Sequence, residues 1–482
     1  MQPLEIVFVL IALGLLVTQN LRGVNRTYPL ALLAAGLVTV VLGAWFGPLR
    51  WQMAPAYLVF LASALLSLRQ AHSHVAVRSL GVFIGALLLA VSITLSVGLP
   101  LLTLPAPDGP HTVGTTSFSL VDDSRDESLF GAPDKKRELY VQAWHPAVVA
   151  EDGPEPRRRK LWAELHRGDL DRFTVFTRYL RGVDTHSYED VPLSRAQATY
   201  PVIVFSHAMV SFAEQSTLLM EHLASHGYVV FAISHPYMSM RVVVSDGSVV
   251  YPALEKVSAA SAPFDAASAQ FAAHLARAAN DAERNHLQIE RYASAAELNE
   301  LMAVWVADLR FVLDAIDSPR RYPQLQTFAG RIDVERIGLL GMSFGGGAVT
   351  EVCKVDARCR AGLNIDGGTF GERQAQPLQV PFLGLVREGQ RHLDYLLPAS
   401  ESDYYGVSVA GASHLDFTDD AVVLPILKWL DMTGSIDARR VIEVTNAVSL
   451  RFFDAYLRGG PKPRFGAEFP ELTVHMNDRA RN

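Results

Sequence analysis

The chain has 482 residues, long enough to bury a large core and to hold more than one structural unit. Its formal net charge of −7 is modest for that length and points to no nucleic-acid partner. Its two cysteines have no histidine near them in sequence and cannot by themselves build a four-ligand structural zinc site.

Four apolar stretches fill the first 105 residues: Ile6 to Leu21, Tyr28 to Phe46, Met53 to Leu68 and Leu80 to Leu104. None contains an acid or a base, and each approaches or exceeds the ~20 residues that cross a bilayer as a helix. They predict a transmembrane region of about four helices over residues 1–105. The leading "MQPLE" has no Lys or Arg and carries an acid, unlike the flank of a cleaved signal peptide. Short loops carrying more Lys and Arg stay on the cytoplasmic side. Arg22 and Arg26 lie in the first loop, Arg69 and Arg78 in the third, and only Arg50 in the second. Loops one and three therefore read as cytoplasmic. Four crossings would then put the rest of the chain outside, in the periplasm beyond a bacterial inner membrane or at the cell exterior.

After "PAPDGPHTVGTT", a linker rich in Pro and Gly, residues 106–482 read as a second domain. Strand-like apolar runs alternate there with helical patterns, which predicts a mostly parallel sheet with helices on both faces. The runs cover 138–144, 200–207, 228–235, 337–343, 361–366, 381–388 and 404–412, with an earlier strand in "TTSFSLVD". About a hundred residues separate the strands ending at 235 and starting at 337, far more than one crossover needs. Their Ala-, Glu- and Arg-rich middle, about 240–300, is expected to form a helical cap, followed by a crossover helix "LMAVWVADLRFVLDAI". A charged insertion at about 150–198 is expected to border the same site.

The chemistry starts at "GLLGMSFGGGA", where Ser343 sits between Gly341 and Gly345, after an apolar strand and before a helix start. In a G-x-S-x-G turn the glycines leave room for a crowded backbone that projects the serine hydroxyl from the sheet. A serine also needs a base to take its proton. Downstream lie only His392, His414 and His475. His414, in "VAGASHLDF" just past a strand, can present its ring at the carboxyl edge of the sheet, where such sheets place their sites. His392 follows a polar loop and is expected in solvent; His475 lies in the C-terminal tail. For the acid that orients the imidazole, spacing leaves Asp366 and Glu388, each ending a strand.

The segments "VIVFSHAM", "LASHGYVVFAISHP", "GLLGMSFGGGA", "AGLNIDGG" and "GASHLDF" resemble, in order and spacing, those of the plasma-type platelet-activating factor acetylhydrolase family, within the dienelactone-hydrolase-like α/β-hydrolases. The resemblance covers most of 115–430. It implies an α/β-hydrolase fold with Ser343 as nucleophile, Asp366 as acid and His414 as base. It also implies an oxyanion hole from the backbone N–H groups of Met209 and Phe344, with Phe344 contributing its N–H rather than its ring. Where the family usually shows H-G-x-G, this chain has His207, Ala208, Met209 and Val210. A positive φ at 208 or 210 would strain Ala or Val.

The expected activity is that of a membrane-anchored serine esterase or lipase needing no cofactor, acting on esters and, by the resemblance, on phospholipids with short or oxidised acyl chains. A peptidase or amidase of the same fold is the nearest rival, and a non-catalytic ligand-binding membrane sensor the alternative from another class. Cys353 and Cys359 are close enough to pair if a helix ends between them, as an oxidising compartment would allow. His207, His226 and His235 have no carboxylate at ligand spacing, and no metal site is expected there.

Overall fold

The computed structural model describes residues 1–18, 21, 25, 27–46, 49–69, 75–150, 155–169, 171–172, 174–477 and 479. Arg22 and Arg26, used above for orientation, lie outside the described residues. The chain divides into two compact units: Met1–Thr103 with Leu170–Asp184 and Val423–Leu430, and Leu104–Asp169 with Thr185–Val422 and Asp431–Asn482.

The first unit is built on α1 (Pro3–Thr18), α2 (Thr27–Phe46), α3 (Ala54–Arg69) and α4 (Val75–Gly98). Two of these helices, Thr27–Phe46 and Val77–Gly98, are long and apolar enough to cross a membrane; Pro3–Thr18 and Trp51–Ser67 are apolar but shorter. The last helix stops at Gly98 rather than at the expected Leu104. Pro100 explains this, because a proline disfavours helical backbone at the residue before it. Arg50 donates to Glu5 at 3.0 Å and to the carbonyl of Leu99. The start of α1, the α2–α3 connection and the end of α4 therefore share one end of the bundle, as four alternating helices require. Trp51 donates its indole N–H to the Phe176 carbonyl at 3.0 Å, tying segment 170–184 to this unit.

The second unit is a sheet flanked by helices. Its strands are β1 (Thr112–Glu127), β2 (Ala132–Ala147), β3 (Arg158–Lys160), β4 (Asp184–Glu189), β5 (Tyr200–Ser206), β6 (Val229–Ser234), β7 (Val242–Val243), β8 (Val249–Val250), β9 (Ile332–Met342), β10 (Cys359–Ile365), β11 (Phe382–Arg387), β12 (Tyr404–Val409) and β13 (Leu472–Met476). Among the described residues the main sheet has the order β13-β12-β11-β10-β9-β5-β6-β2-β1-β4-β3, and β7 and β8 form a separate ribbon. From β6 to β12 every pairing is parallel, while β2 and β13 join antiparallel. The expected strands are present. The hairpin of β1 and β2, the edge strand β13 and the two short strands within the 150–198 insertion were not expected from the sequence.

Alternate residues of the central strands enter opposite cores, as the period of two demands. Val202, Val204 and Leu339 pack with α9 (Ala296–Asp317) and α10 (Phe344–Cys353). Ile203, Phe205 and Leu340 pack with α5 (Thr217–Ser225) and the helix Ala438–Leu457. The region expected to form a cap, about 240–300, holds α6 (Leu254–Ala266), α7 (Ser268–Arg277) and α8 (Asp281–Ala293), which lead into α9. A Cys353–Cys359 disulfide joins the end of α10 to the start of β10.

Candidate active site

Strands β9 and β10 run parallel with Met342 opposite Ile365, so Ser343 and Asp366 leave the sheet side by side. The Ser343 N–H donates to the Ile365 carbonyl at 2.7 Å, and the Asp366 N–H to the Leu385 carbonyl at 2.7 Å. Ser343 has φ 56° and ψ −122°, a backbone that few non-glycine residues adopt. Its neighbours make the turn sterically feasible. A Cβ on Gly341 would lie 2.2 Å from the Gly345 carbonyl oxygen, and one on Gly345 would lie 2.2 Å from that of Ser206. Both positions therefore exclude any side chain, and the following helix begins at once.

His414 opens a short 3₁₀ turn after β12, held by a reciprocal capping box between Ser413 and Asp416. Its Nε2 lies 3.0 Å from Ser343 Oγ, and its Nδ1 lies 2.6 Å from Asp366 Oδ2. An imidazole held in this way by a carboxylate has its Nε2 lone pair free to take a hydroxyl proton. Asp366 is buried, and burial alone would raise its carboxyl. The His414 hydrogen bond and the charges of His392, His414 and Arg387 outweigh that and hold it below the ordinary value. Glu388, the other strand-end acid, instead accepts from the Gly411 N–H at 2.8 Å, while the His414 ring nitrogens meet Asp366 and Ser343.

Two residues of this cluster escaped sequence reasoning. Arg387 donates to Asp366 Oδ2 at 2.5 Å, with its Nη1 3.3 Å from His414 Nδ1. A basic residue at a strand end carries no pattern that announces such a partner. His392, expected in solvent, is buried, and burial first of all lowers its affinity for a proton. It is one of the groups acting electrostatically on Asp366. His475 lies on the edge strand β13 and takes no part.

The segment after β5 carries Met209. Ala208 N–H donates to Gln215 at 2.8 Å and Val210 N–H to the Met238 carbonyl at 2.7 Å. The Met209 N–H between them has no acceptor among the described residues. The Phe344 N–H, at the first turn of α10, is one of the donors that a helix leaves without an internal partner. Val210 has φ 58°, so the strain foreseen at 208 or 210 falls on Val210. Below this segment, Ser206 Oγ lies 3.0 Å from His235 Nε2, and His235 Nδ1 donates to Asp308 at 2.7 Å. Asp308 is paired with Arg137 at 2.6 Å, and His207 meets Ser239 at 2.7 Å. This buried network anchors the end of β5, where His207 and His235 serve as hydrogen-bonding groups.

The Phe344 ring also differs from expectation. It is buried, 5.1 Å from the Trp305 ring and 5.7 Å from Phe370. Phe370 in turn meets Phe264 and Tyr292 from the cap at 4.9 and 5.0 Å. The ring thus links the nucleophile turn to the cap, a role that a motif centred on the backbone does not reveal.

The family profile described as "Platelet-activating factor acetylhydrolase, isoform II" matches residues 102–459. The chain belongs to this family. Platelet-activating factor acetylhydrolase of Gallus gallus is 22% identical over 377 residues, 73% of this chain and 83% of that protein. The Cavia porcellus acetylhydrolase is 24% identical over 370 residues, 74% of this chain and 78% of its own length. Among solved structures, a ferulic acid esterase from Streptomyces cinnamoneus superposes with a TM-score of 0.58 at 25% identity, covering 78% of this chain and 99% of that one. This acetylhydrolase-family chain is accordingly a carboxylic ester hydrolase with an α/β-hydrolase fold. The family match begins only at residue 102, just after the four helices.

Proposed function

We propose that the chain is a membrane-anchored serine esterase in which Ser343, His414 and Asp366 act as one catalytic unit. The observation that carries this reading is the position of His414, with one ring nitrogen 3.0 Å from Ser343 Oγ and the other 2.6 Å from Asp366. Ser343 Oγ attacks the ester carbonyl while His414 Nε2 takes its proton, and Asp366 stabilises the imidazolium. The N–H groups of Met209 and Phe344 receive the charge that develops on the carbonyl oxygen; fixed backbone donors are effective because they need no reorganisation during the reaction. His414 returns the proton to the leaving alcohol. Water, activated by the same imidazole, then cleaves the acyl-enzyme and restores Ser343.

The substrates we infer are phospholipids carrying short or oxidised acyl chains, because the relatives are platelet-activating factor acetylhydrolases and the helical unit would hold the enzyme at a bilayer. We infer four crossings with the catalytic unit on the non-cytoplasmic side. The arginine distribution and the disulfide, favoured in an oxidising compartment, support that side. The deciding experiment is a fluorophosphonate probe together with p-nitrophenyl esters of increasing chain length, phospholipids and a peptide amide. Labelling of the native chain that disappears in Ser343→Ala, with turnover highest on short acyl esters, is expected. Labelling that persists in Ser343→Ala, or turnover of the amide alone, would sink the reading. A reporter fused after residue 110 tests the side: activity of a cytoplasm-only reporter would reverse it.

A further inference from the structure

Of the histidines with no place in the ester chemistry, His226 has the most telling surroundings. It lies beyond the last turn of α5, four residues after His222, so the two rings share one face and sit 4.5 Å apart. Asp108, from the linker before β1, reaches the same point. Its Oδ1 is 2.9 Å from His222 Nδ1 and 3.8 Å from His226 Nε2, and the three ligand atoms lie within 4.8 Å of one another.

The surroundings prepare these atoms. His226 Nδ1 lies 2.9 Å from the His222 carbonyl oxygen, which accepts its proton and leaves the lone pair on Nε2, turned toward Asp108. A backbone carbonyl on the far nitrogen is the usual way a ligating imidazole has its tautomer fixed. In the neutral state two electron-rich atoms, His226 Nε2 and Asp108 Oδ1, then face each other with no proton between them. Asp108 is itself exposed, but its chain is fastened. The next residue, Gly109, donates its N–H to Ser225 Oγ at 3.2 Å, and His111 donates its N–H to the Ser225 carbonyl at 3.0 Å. A Cβ on Gly109 would lie 2.4 Å from the Ser225 carbonyl group, so the close approach depends on glycine. The end of α5 adds the negative pole of a helix, which favours a cation. Arg458, which lies beside Gly227 just past the end of α5, is already held by Asp454 at 3.1 Å and by the Gly227 carbonyl at 2.6 Å.

We propose that Asp108, His222 and His226 bind a borderline first-row divalent cation, zinc foremost, through one carboxylate oxygen and two imidazole nitrogens, with water completing the shell. Zinc bonds of about 2.0–2.2 Å put neighbouring ligand atoms roughly 3.3 Å apart, and the 2.9 and 3.8 Å separations bracket that value. Two imidazoles and one carboxylate suit zinc better than calcium or magnesium, which take oxygen ligands. The ion would staple the linker entering the sheet domain to α5 and take no part in ester cleavage.

The test uses the full-length chain without a histidine tag, stripped by chelator and titrated with zinc alone. Bound metal is counted per chain, and the geometry is followed by the visible absorption of a cobalt-substituted sample. One zinc per chain is expected, with an upward shift of the thermal midpoint on binding. Asp108→Asn and His226→Gln should each weaken binding by at least the roughly 10- to 100-fold seen when only a supporting partner of a ligand is lost. His286→Gln, at an exposed position on α8, should leave it unchanged. His222 is buried and its replacement can fail to fold, so the other two variants carry the test. A native chain that takes up no more zinc than His226→Gln, or Asp108→Asn and His226→Gln chains that bind as tightly as the native one, would overturn the site and leave an ordinary proton-held pair.

Discussion

The two units differ in how many of their large apolar residues they leave on the outside. In the sheet unit, Leu339, Leu340 and Phe205 are fully buried, and far fewer large apolar side chains are exposed. In the helical unit Phe8, Leu15 and Phe60 form a small buried core, yet many large side chains face outward: Trp45 is 83% exposed, Phe83 68% and Val41 66%, whereas α2 buries Gly36 and Thr39. Small residues such as Gly36 at a helix contact and large apolar ones outside would suit a hydrocarbon solvent, which gives no reward for hiding a leucine. Under the proposed membrane anchoring, the comparison teaches that burial follows from the solvent as much as from the side chain. It is also the physical content of the membrane-anchored reading.

If the division of labour holds, the largest effects belong to two side chains of the sheet unit. Ser343→Ala should lower kcat on a short-chain ester by roughly 10⁵- to 10⁶-fold. Its circular dichroism and unfolding midpoint should stay near those of the native chain, and substantial residual turnover would break the assignment. Asp366→Asn should cost roughly 10⁴-fold in kcat by disturbing the tautomer of His414, against less than tenfold for Glu388→Gln. The reverse ranking would move the acid to the next strand.

Stability measurements sharpen the contrast further. Leu339→Ala should destabilise the sheet unit by about 2–5 kcal/mol in chemical denaturation. In the helical unit the expensive change is in the other direction. A Cβ on Gly36 would lie 2.2 Å from the Phe60 ring, so Gly36→Leu should cost about 1–3 kcal/mol in a detergent-resistance assay. Leu37→Ala, on the exposed face of α2, should stay within about 0.5 kcal/mol. Equal costs at Gly36 and Leu37 would count against a lipid-facing exterior.

Within the cluster around His414, a small effect is expected at Arg387. Asp366 is held below its ordinary value with Arg387 among the causes, so the function of its charge is complete above that ordinary value and fades as pH falls through the depressed one. Removing the cation raises the carboxyl toward its ordinary value. Arg387→Gln should therefore lose less than about tenfold in kcat/KM at neutral pH, since the guanidinium is partly exposed and screened. The acid side of its pH profile should move to higher pH; a shift to lower pH would refute the electrostatic account.

Much of this site was legible because its backbone demands specific residues. The glycines around Ser343 are needed where main chain meets main chain, and continuous apolar runs marked the inner strands. Which carboxylate meets His414 was not legible from spacing, since Asp366 and Glu388 both end strands and only the third dimension puts Asp366 on His414. Arg387, the buried His392 and the aromatic link from Phe344 to the cap depend on contacts between distant segments, which local periodicity does not encode. The same holds for Leu170–Asp184 and Val423–Leu430, short excursions from the hydrolase region that fold with the helices. Asp108 and His222 are separated by more than a hundred residues, and neither has a neighbour in sequence that reveals the other.

The pairing of Met342 with Ile365 has a further consequence. Ser343 and Asp366 are each the first residue beyond adjacent strands, so the gap between them is a repeat distance of the sheet, about 4.8 Å, and owes nothing to loop design. Only His414 rides on a turn whose length can vary. A single residue inserted into β10 would rotate the carboxylate to the opposite face, whereas residues added between Asp366 and β11 would merely enlarge a loop. The sheet is thus a gauge for two of the three groups, and evolution can retool everything around them while the gauge is kept.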